Sequence, residues 1–437
     1  MHKPTVAIQP RFVSPALAAL LSFLWPGAGQ LYARRRNAAL MFAVPALALA
    51  AIVLFEAQRG LAVLVARLLD PQVAAVVFVA VLALGLWRVL SVVHAFGSAD
   101  ASSRGRTSER FALFVLLVAI VASHATGAAY LWSAFKMDTS IFAIGANGAE
   151  APQANTDSSR VTVLLAGLDQ YTTRTERLYD SLMVVSVDKK TGRVSIVSVP
   201  RDTSGYPLYW GGTGTVKINA IPTYVRNGWL KSPDQPVTTL VKEVGYLVGV
   251  PIDYYGVIDL GSFMKIIDMV GGVDITNATP IDDPSYDWLD GSKPGFALSV
   301  GPHHLDGRNA LAYVRSRHGS GNSDWARAGR QQQVLVAVAH KMATPGMFVK
   351  LPSLMAQAES LVTTNFPASQ VADMVDFTQS VPSSNYDSYV LGPPYSVSKS
   401  TATAYTSCLM LDKVAPLSVR LFGTDSRYYG KTQAPTC

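Results

Sequence analysis

The pattern of apolar and polar positions changes character once, near residue 136. Before that point four long apolar stretches dominate. Residues 12–33, 37–55 and 111–135 contain no Asp, Glu, Lys or Arg, and residues 71–96 are broken only by Arg88. A bilayer core of about 30 Å is crossed by about 20 apolar residues in a helix, so these stretches read as membrane helices rather than buried core helices. The first is irregular: "WPGAGQLY" (residues 25–32) puts Pro and Gly near its end, so it is either a span with an external N-terminus or a re-entrant segment. No short apolar core followed by a small-residue cleavage site replaces them, and a removable signal peptide is not expected.

After a linker rich in small and polar residues (137–160), the period shortens. Runs at 161–166, 181–188 and 193–199 read as strands, with "DKKTG" turning between the last two. Helical spacing at 237–248 is followed by a strand at 254–259, a helix at 262–269 and a strand at 273–276 after "GG". Residues 308–314 and 325–342 read as helices, with Asp324 at the N-cap position of the second. Interleaved strands and helices predict a layered α/β domain over 161–345, with residues 346–437 as its C-terminal part. No internal repeat is visible.

Charge sharpens this division. Residues 1–136 hold 12 Lys+Arg and 4 Asp+Glu, while the remaining residues hold 25 and 26. The excess positive charge therefore belongs to the apolar third, and nucleic acid is excluded as a partner of the rest. Arg34, Arg35 and Arg36 between the first two stretches, and Arg104, Arg106 and Arg110 between the last two, mark both loops as cytoplasmic. Everything after Lys136 then lies outside the cytoplasmic membrane. There the only two cysteines, Cys408 and Cys437, are in an environment that favours a disulfide.

Three polar segments stand at apolar boundaries. In "AGLDQYTTRTERLYDS", Asp169 follows one strand and Asp180 precedes the next. Residues at strand ends on one edge of a sheet converge where open α/β sheets bind ligands. In "VPRD", Pro200 ends a strand ahead of Arg201 and Asp202. In "YVRSRHGSGNSDWARAGRQQQ", Arg315 and Arg317 point to one side of an extended segment, and Arg327, Arg330 and Gln331 share a helix face. Taken singly, each reads equally well as a solvated basic face, or as turn and cap carboxylates. Together they form an inventory for phosphoryl transfer. Two carboxylates can hold Mg2+, with Mn2+ as the alternative, and arginine forks take phosphate oxygens. No P-loop, HExxH, GxSxG or zinc-spaced Cys/His group competes. His303, His304 and His318 are scattered and read as surface residues.

Seven segments carry a resemblance: "LLAGLD", "YDSLMVVSVD", "VSIVSVPRDT", "VKINA", "IDYYGVIDLGSFMKIIDMVGGVDI", "HLDGRNALAYVRSRH" and "DWARAGRQQQ". In this order the chain resembles the LytR-CpsA-Psr family of membrane-anchored glycopolymer ligases, from about residue 161 to 342 and more loosely to about 395. The resemblance implies an α/β/α domain that holds a polyprenyl (pyro)phosphate in an apolar tunnel and moves a glycopolymer from this carrier onto peptidoglycan. It matches Asp169 and Asp180 to the magnesium-binding carboxylates and Arg201, Arg315, Arg317 and Arg327 to the phosphate-binding arginines. Gln331 matches the head-group glutamine, and Lys217 and Asn219 occupy the "KIN" positions. Asp180, Arg201, Arg315 and Arg317 are the expected catalytic residues. Asp202, Asp324 and Arg330 complete the expected binding set, with Asp202 and Asp324 holding neighbouring arginines.

The chain departs from the family pattern at Tyr171, where an arginine is usual; Arg174 or Arg177 stands nearby. Its several N-terminal helices also exceed the single usual anchor. Hydrolysis of a polyprenyl diphosphate by water, and a non-enzymatic lipid- or wall-binding module, are the alternative readings. Teichoic acid, capsule and arabinogalactan are all open as the polymer.

Overall fold

The structure is a computed structural model that describes residues 13–58, 60, 63–64, 67–68, 70–141, 159–171, 177–292, 295–318, 323–342, 344, 347, 361–367, 370–400, 405–434 and 436. Two compact units divide at residue 136: Met1–Lys136 and Met137–Cys437.

In the first unit, α1 (Pro15–Leu24) starts under Ser14, whose hydroxyl accepts from Leu17 N at 3.3 Å. Its 10 residues reach only about 15 Å, half of a bilayer core. The chain breaks at Gly27 (φ +96°), where a Cβ would meet Ala39 O at 2.4 Å, and runs back as α2 (Ala28–Tyr32). At Gly29 a Cβ would lie 1.9 Å from Ala18 O, so only glycine lets α2 lie this close to α1. Gln30 closes the hairpin. It accepts from Ser22 Oγ at 2.8 Å and donates to the Ser91 carbonyl at 2.8 Å, satisfying a buried amide. Both ends of the hairpin meet one place: Val13 N donates to Asp100 Oδ2 at 2.8 Å, and Tyr32 packs with Ala95 and Ala99. The first apolar stretch is thus a folded-back hairpin and not a span. Three further helices, α3 (Arg36–Ala57), α4 (Pro71–Ser98) and α5 (Thr107–Ile141), are long and apolar enough to cross a membrane. Most of the linker expected at 137–160 lies outside the described residues.

The second unit is built on a mixed sheet. Strands β1 (Arg160–Leu168), β2 (Tyr179–Asp188) and β3 (Arg193–Ser198) form an antiparallel meander, with β4 (Tyr206–Pro207) and β5 (Thr213–Gly214) pairing separately. After α6 (Ile221–Arg226) and α7 (Pro236–Val248), β6 (Tyr254–Asp259) pairs parallel to β1. Helix α8 (Leu260–Met269) begins under Asp259, which accepts from Ser262 N at 2.7 Å. Strands β7 (Val273–Asn277), β8 (Ile281–Asp283), β9 (Phe296–Leu298) and β10 (Gly301–Leu305) form two small ribbons ahead of α9 (Gly307–Arg315) and α10 (Asp324–Met342). The C-terminal part joins the same sheet: β11 (Thr363–Thr364) flanks β6, and after α11 (Val371–Ser380), β12 (Tyr386–Val390) pairs parallel to β3. The sheet order is β11-β6-β1-β2-β3-β12. A ribbon of β13 (Ser396–Ser400) and β14 (Tyr405–Leu409) precedes α12 (Leu411–Phe422).

Alternation divides the strands between two faces. Leu164, Ala166, Leu182, Val184 and Val197 pack on Leu240, Val244 and Leu247 of α7 and on Val414 and Leu417 of α12. On the opposite face, Ile196 and Val194 pack with Leu335 of α10 and Phe377 of α11, giving the expected helix–sheet–helix layering. Toward β1, however, the second face is not closed. Leu165 and Met183 stay half-buried because they line a cavity. Cys408 is buried and disulfide-bonded; the pairing expected with Cys437 ends on a residue outside those described.

Candidate active site

The cavity has a volume of about 1090 Å³ and two chemically different regions. One wall is apolar, with Leu165 and Met183 from the sheet, Phe263 and Ile266 from α8, and Val334 and Val338 from α10. Its other region holds Asp169, Asp180, Arg201, Lys217, Arg315, Arg317, Arg327 and Gln331.

A register defect aims the carboxylates. In the β1–β2 pairing Gly167 faces Ser181, but Leu168 faces Tyr179, so Asp180 is the extra residue of a β-bulge. Tyr179 and Leu182 both turn to the buried core, and the two residues between them, Asp180 and Ser181, both line the cavity. A regular strand would have sent one of them to the other face. Asp169 follows β1 and is fixed by its N–H to Leu178 O at 2.9 Å.

The second segment is a tight turn. Thr203 donates from N (3.1 Å) and Oγ1 (2.7 Å) to Pro200 O, which leaves Arg201 and Asp202 at the two corners. Arg201 Nη1 donates to Asp180 Oδ2, and its Nε lies 3.3 Å from Asp202 Oδ2. The other Asp202 oxygen takes Lys217 Nζ at 2.5 Å. Asp202 therefore holds Arg201 itself together with Lys217. Burial opposes the Arg201 charge, but Asp180, Asp202 and Asp324 outweigh it and raise its pKa. Asn219 is buried beside this turn, its N–H on Arg201 O at 3.3 Å, and its Oδ1 has no hydrogen-bond partner.

The third segment differs from its sequence reading in three places. Arg315 is the last residue of α9 rather than part of an extended stretch; it lines the cavity with Arg317, its Nη2 3.6 Å from Asp169 Oδ1. Asp324 is the first residue of α10, not its cap. The cap is Ser323, whose hydroxyl accepts from Ala326 N at 3.0 Å. Asp324 instead pairs with Arg327 at 3.1 Å. Arg330 is directed away from the cavity wall: Nε donates to Tyr313 O at 2.7 Å and Nη2 to Ser316 O. It clamps the turn that carries Arg315 and Arg317. Gln331 is in the cavity, accepting from Ser181 Oγ at 3.0 Å and donating to Val314 O at 3.3 Å.

The electrostatics are tense. Burial raises the Asp180 pKa, Arg201 pulls it down, and repulsion from Asp169 adds to the rise. Burial lowers the Arg327 pKa, and repulsion from Arg201 adds to that. Asp180 Oδ1 and Arg315 Nη1 are buried without hydrogen-bond partners, at a cost that a bound group would relieve. Two mutually repelling carboxylates, one with an open oxygen, beside an arginine with an open donor fit a site that would take Mg2+ together with a phosphate: hard oxygen ligands for the ion and guanidinium forks for the anion. Among the described residues no cluster of three or more His, Cys, Asp and Glu could hold a metal by protein ligands alone. Mg2+ bound with few protein carboxylates keeps waters and shares substrate phosphates.

Sequence reasoning missed Ser181 and Asp283. Asp283 is buried at the end of β8. Its Oδ2 accepts from Ser316 Oγ (2.8 Å) and from the N–H groups of Arg317 (3.3 Å) and His318 (3.2 Å), fixing the arginine turn from the side opposite Arg330. His318 is exposed as expected, but on the cavity rim. His303 and His304 line a separate shallow pocket. Of the candidates near Tyr171, Arg177 is exposed and outside the cavity lining, and Arg174 lies outside the described residues.

Residues 134–405 match the model of the LytR_cpsA_psr family. The chain is similar to the polyisoprenyl-teichoic acid–peptidoglycan teichoic acid transferase TagV of Bacillus subtilis (strain 168), 33% identical over 206 residues. That match spans 47% of this chain and about half (49%) of the relative. It is also similar to the transferase of the same description, TagU, of Bacillus cereus (strain AH820), 32% identical over 228 residues, 52% of this chain and 68% of the relative. Among solved structures, the crystal structure of B. subtilis TagV aligns with 63% of this chain and 98% of its own, at TM-score 0.48 and 24% identity.

Proposed function

The chain belongs to the LytR_cpsA_psr family, and from that premise we propose that it transfers a cell-wall glycopolymer from a polyprenyl diphosphate carrier to a hydroxyl of peptidoglycan. One observation carries the reading: a single cavity of about 1090 Å³ is lined both by an apolar wall and by a cluster of arginines and carboxylates. A lipid diphosphate has those two parts. Two relatives carry, in their names, the transfer of teichoic acid to peptidoglycan.

The polyprenyl chain lies along Leu165, Met183, Phe263, Ile266 and Val338, and each buried methylene contributes about 0.8 kcal/mol. Arg201, Arg315, Arg317 and Arg327 hold the diphosphate oxygens. Gln331, set by Ser181, binds beside them, and Lys217 and Asn219 border the same region. Mg2+, held through Asp169 and Asp180, supplies charge neutralisation when bound. The peptidoglycan hydroxyl attacks the phosphorus attached to the sugar, and the bond from that phosphorus to the bridging oxygen breaks. Polyprenyl phosphate leaves with the bridging oxygen and takes up the hydroxyl proton, and a phosphodiester joins polymer to wall. Arginines fixed before substrate arrives suit a reaction that depends mainly on positioning and electrostatics.

The first unit supports an extracytoplasmic location for the second. The hairpin ends beside Asp100, between α4 and α5, and the basic residues Arg34–Arg36 and Arg104, Arg106 and Arg110 flank that same end. With that end cytoplasmic, α3, α4 and α5 cross the membrane and deliver the second unit to the outer side, where peptidoglycan is found.

Purified full-length protein incubated with lipid-linked polymer and peptidoglycan oligomers should yield a covalent adduct. Free polymer alone would mean hydrolysis, and unchanged donor would mean a binding protein.

A further inference from the structure

One wall of the cavity continues, through Tyr224, onto an aromatic ridge. Tyr224, on α6, lines the cavity. After α6 the chain turns through Gly228 (φ +73°), and Trp229 N and Leu230 N both donate to Tyr224 O, at 2.9 and 3.1 Å. Leu230 packs against the main core. The Trp229 indole stands edge-on to the Tyr224 ring, with centroids 5.3 Å apart at 82°. The backbone is thus pinned on both sides of Trp229, yet the residue is 69% exposed. Held by this perpendicular contact, the indole still keeps broad surface open to solvent.

The surroundings decide what that surface takes. A bilayer contact would need several apolar side chains together. The neighbours of Trp229 in the chain, Arg226, Asn227 and Lys231, are exposed and polar. Among the described residues of this unit, the other exposed large apolar side chains are Val300, Val397, Tyr405 and Tyr429, none of them in this segment. A lone, pre-positioned aromatic face with hydrogen-bonding groups around it matches a sugar ring, whose C–H face is apolar and whose rim carries hydroxyls.

We propose that Trp229, held by Tyr224, is the platform on which the acceptor saccharide lies while its hydroxyl reaches the donor phosphate. The inference rests on the ligase reading above and adds the acceptor subsite to it. The donor enters along the apolar wall and the acceptor along the Tyr224–Trp229 side. Lys217 and Asn219, a few residues before α6, line the same cavity and bond to the Arg201 turn, Lys217 through Asp202 and Asn219 through the Arg201 carbonyl.

The test uses full-length protein in detergent micelles and a peptidoglycan-derived oligosaccharide. Trp229→Ala should raise the acceptor KM roughly ten-fold, the size of a 1.4 kcal/mol contact, with donor KM and melting temperature unchanged. Trp229→Phe should fall in between. Saturation-transfer NMR with the oligosaccharide alone should show ring C–H contacts in the wild type that Trp229→Ala loses. An unchanged acceptor KM in an active variant overturns the platform, as does a raised donor KM in its place, which is what a lipid contact would give. If the wild type binds the oligosaccharide through Trp229 but forms no adduct, the platform stands and the ligase reading fails.

Discussion

Arg330 Nε donates to the carbonyl oxygen of Tyr313 at 2.7 Å, and its guanidinium also reaches Ser316 O, on the other side of Arg315. An arginine that reads in sequence as one more phosphate ligand is instead the clamp that sets Arg315 and Arg317. Two charge-assisted hydrogen bonds of roughly 1.5–3 kcal/mol each are lost in Arg330→Ala. A destabilisation of about 3 kcal/mol or more is expected, read as a shifted denaturant midpoint, with activity falling further than the folded fraction because the turn that carries Arg315 and Arg317 is no longer clamped.

Arg315→Ala and Arg317→Ala should behave in the opposite way. Both side chains line the cavity beside Arg201 and Arg327, and the Arg315–Asp169 contact is long at 3.6 Å, so their loss leaves the melting temperature unchanged or slightly raised. Ligation should drop about 10²–10³-fold, as for removal of one donor to the developing charge. Arg317→Lys keeps the charge without the fork and should also be seriously impaired. Rates and melting curves on the same preparations decide this. A large fall in melting temperature would make these arginines structural.

The metal role makes a separate prediction. Adding Mg2+ with inorganic diphosphate should raise the melting temperature of the wild type, because both bind only the folded site. Asp180→Asn should abolish that shift and the ligation. Full ligation by Asp180→Ala in Mg2+ would remove the metal role.

Glu243 offers a pH test away from the cavity. It is fully buried, with Oε2 accepting from Tyr209 N at 3.1 Å and Oε1 unpartnered. Burial pushes its pKa from 4.5 up to about 7, against the Tyr209 N–H and the Arg427 charge. The folded state binds this proton more tightly than the unfolded one. The group's stabilisation is therefore complete below about pH 4.5 and is lost as pH rises through about 7. The wild-type melting temperature should decline across that window more steeply than that of Glu243→Gln.

Periodicity made most of the elements legible: β6 begins and ends where alternation places it, and α7 where helical spacing does. The C-terminal strands were not, because "YDSYV" and "SVSKS" are too polar to stand out, and β12 becomes a strand by pairing with β3. In the site, one signal was present and unread. Tyr179 and Leu182 are three apart in a strand of period two, with Asp180 and Ser181 between them, which is the mark of the bulge. The separation of Arg330 from Gln331 was beyond pattern reading. Consecutive helical residues sit about 100° apart, so a face drawn through Arg327, Arg330 and Gln331 covers both the cavity and the turn beside it. Which of them meets phosphate depends on where α9 ends, and that is a tertiary fact. Asp283 was hidden for the same reason, since its partners lie more than thirty residues away in the chain.

In the proposed reaction phosphorus moves from lipid to wall, and a donor carrying radioactive phosphorus only in the phosphate next to the polymer follows that atom. After incubation with full-length protein and peptidoglycan oligomers, the label should appear in the peptidoglycan fraction as a phosphodiester, with unlabelled polyprenyl phosphate released. Label that stays with the lipid, or leaves with free polymer while the peptidoglycan remains unlabelled, would rule out phosphoryl transfer to the wall.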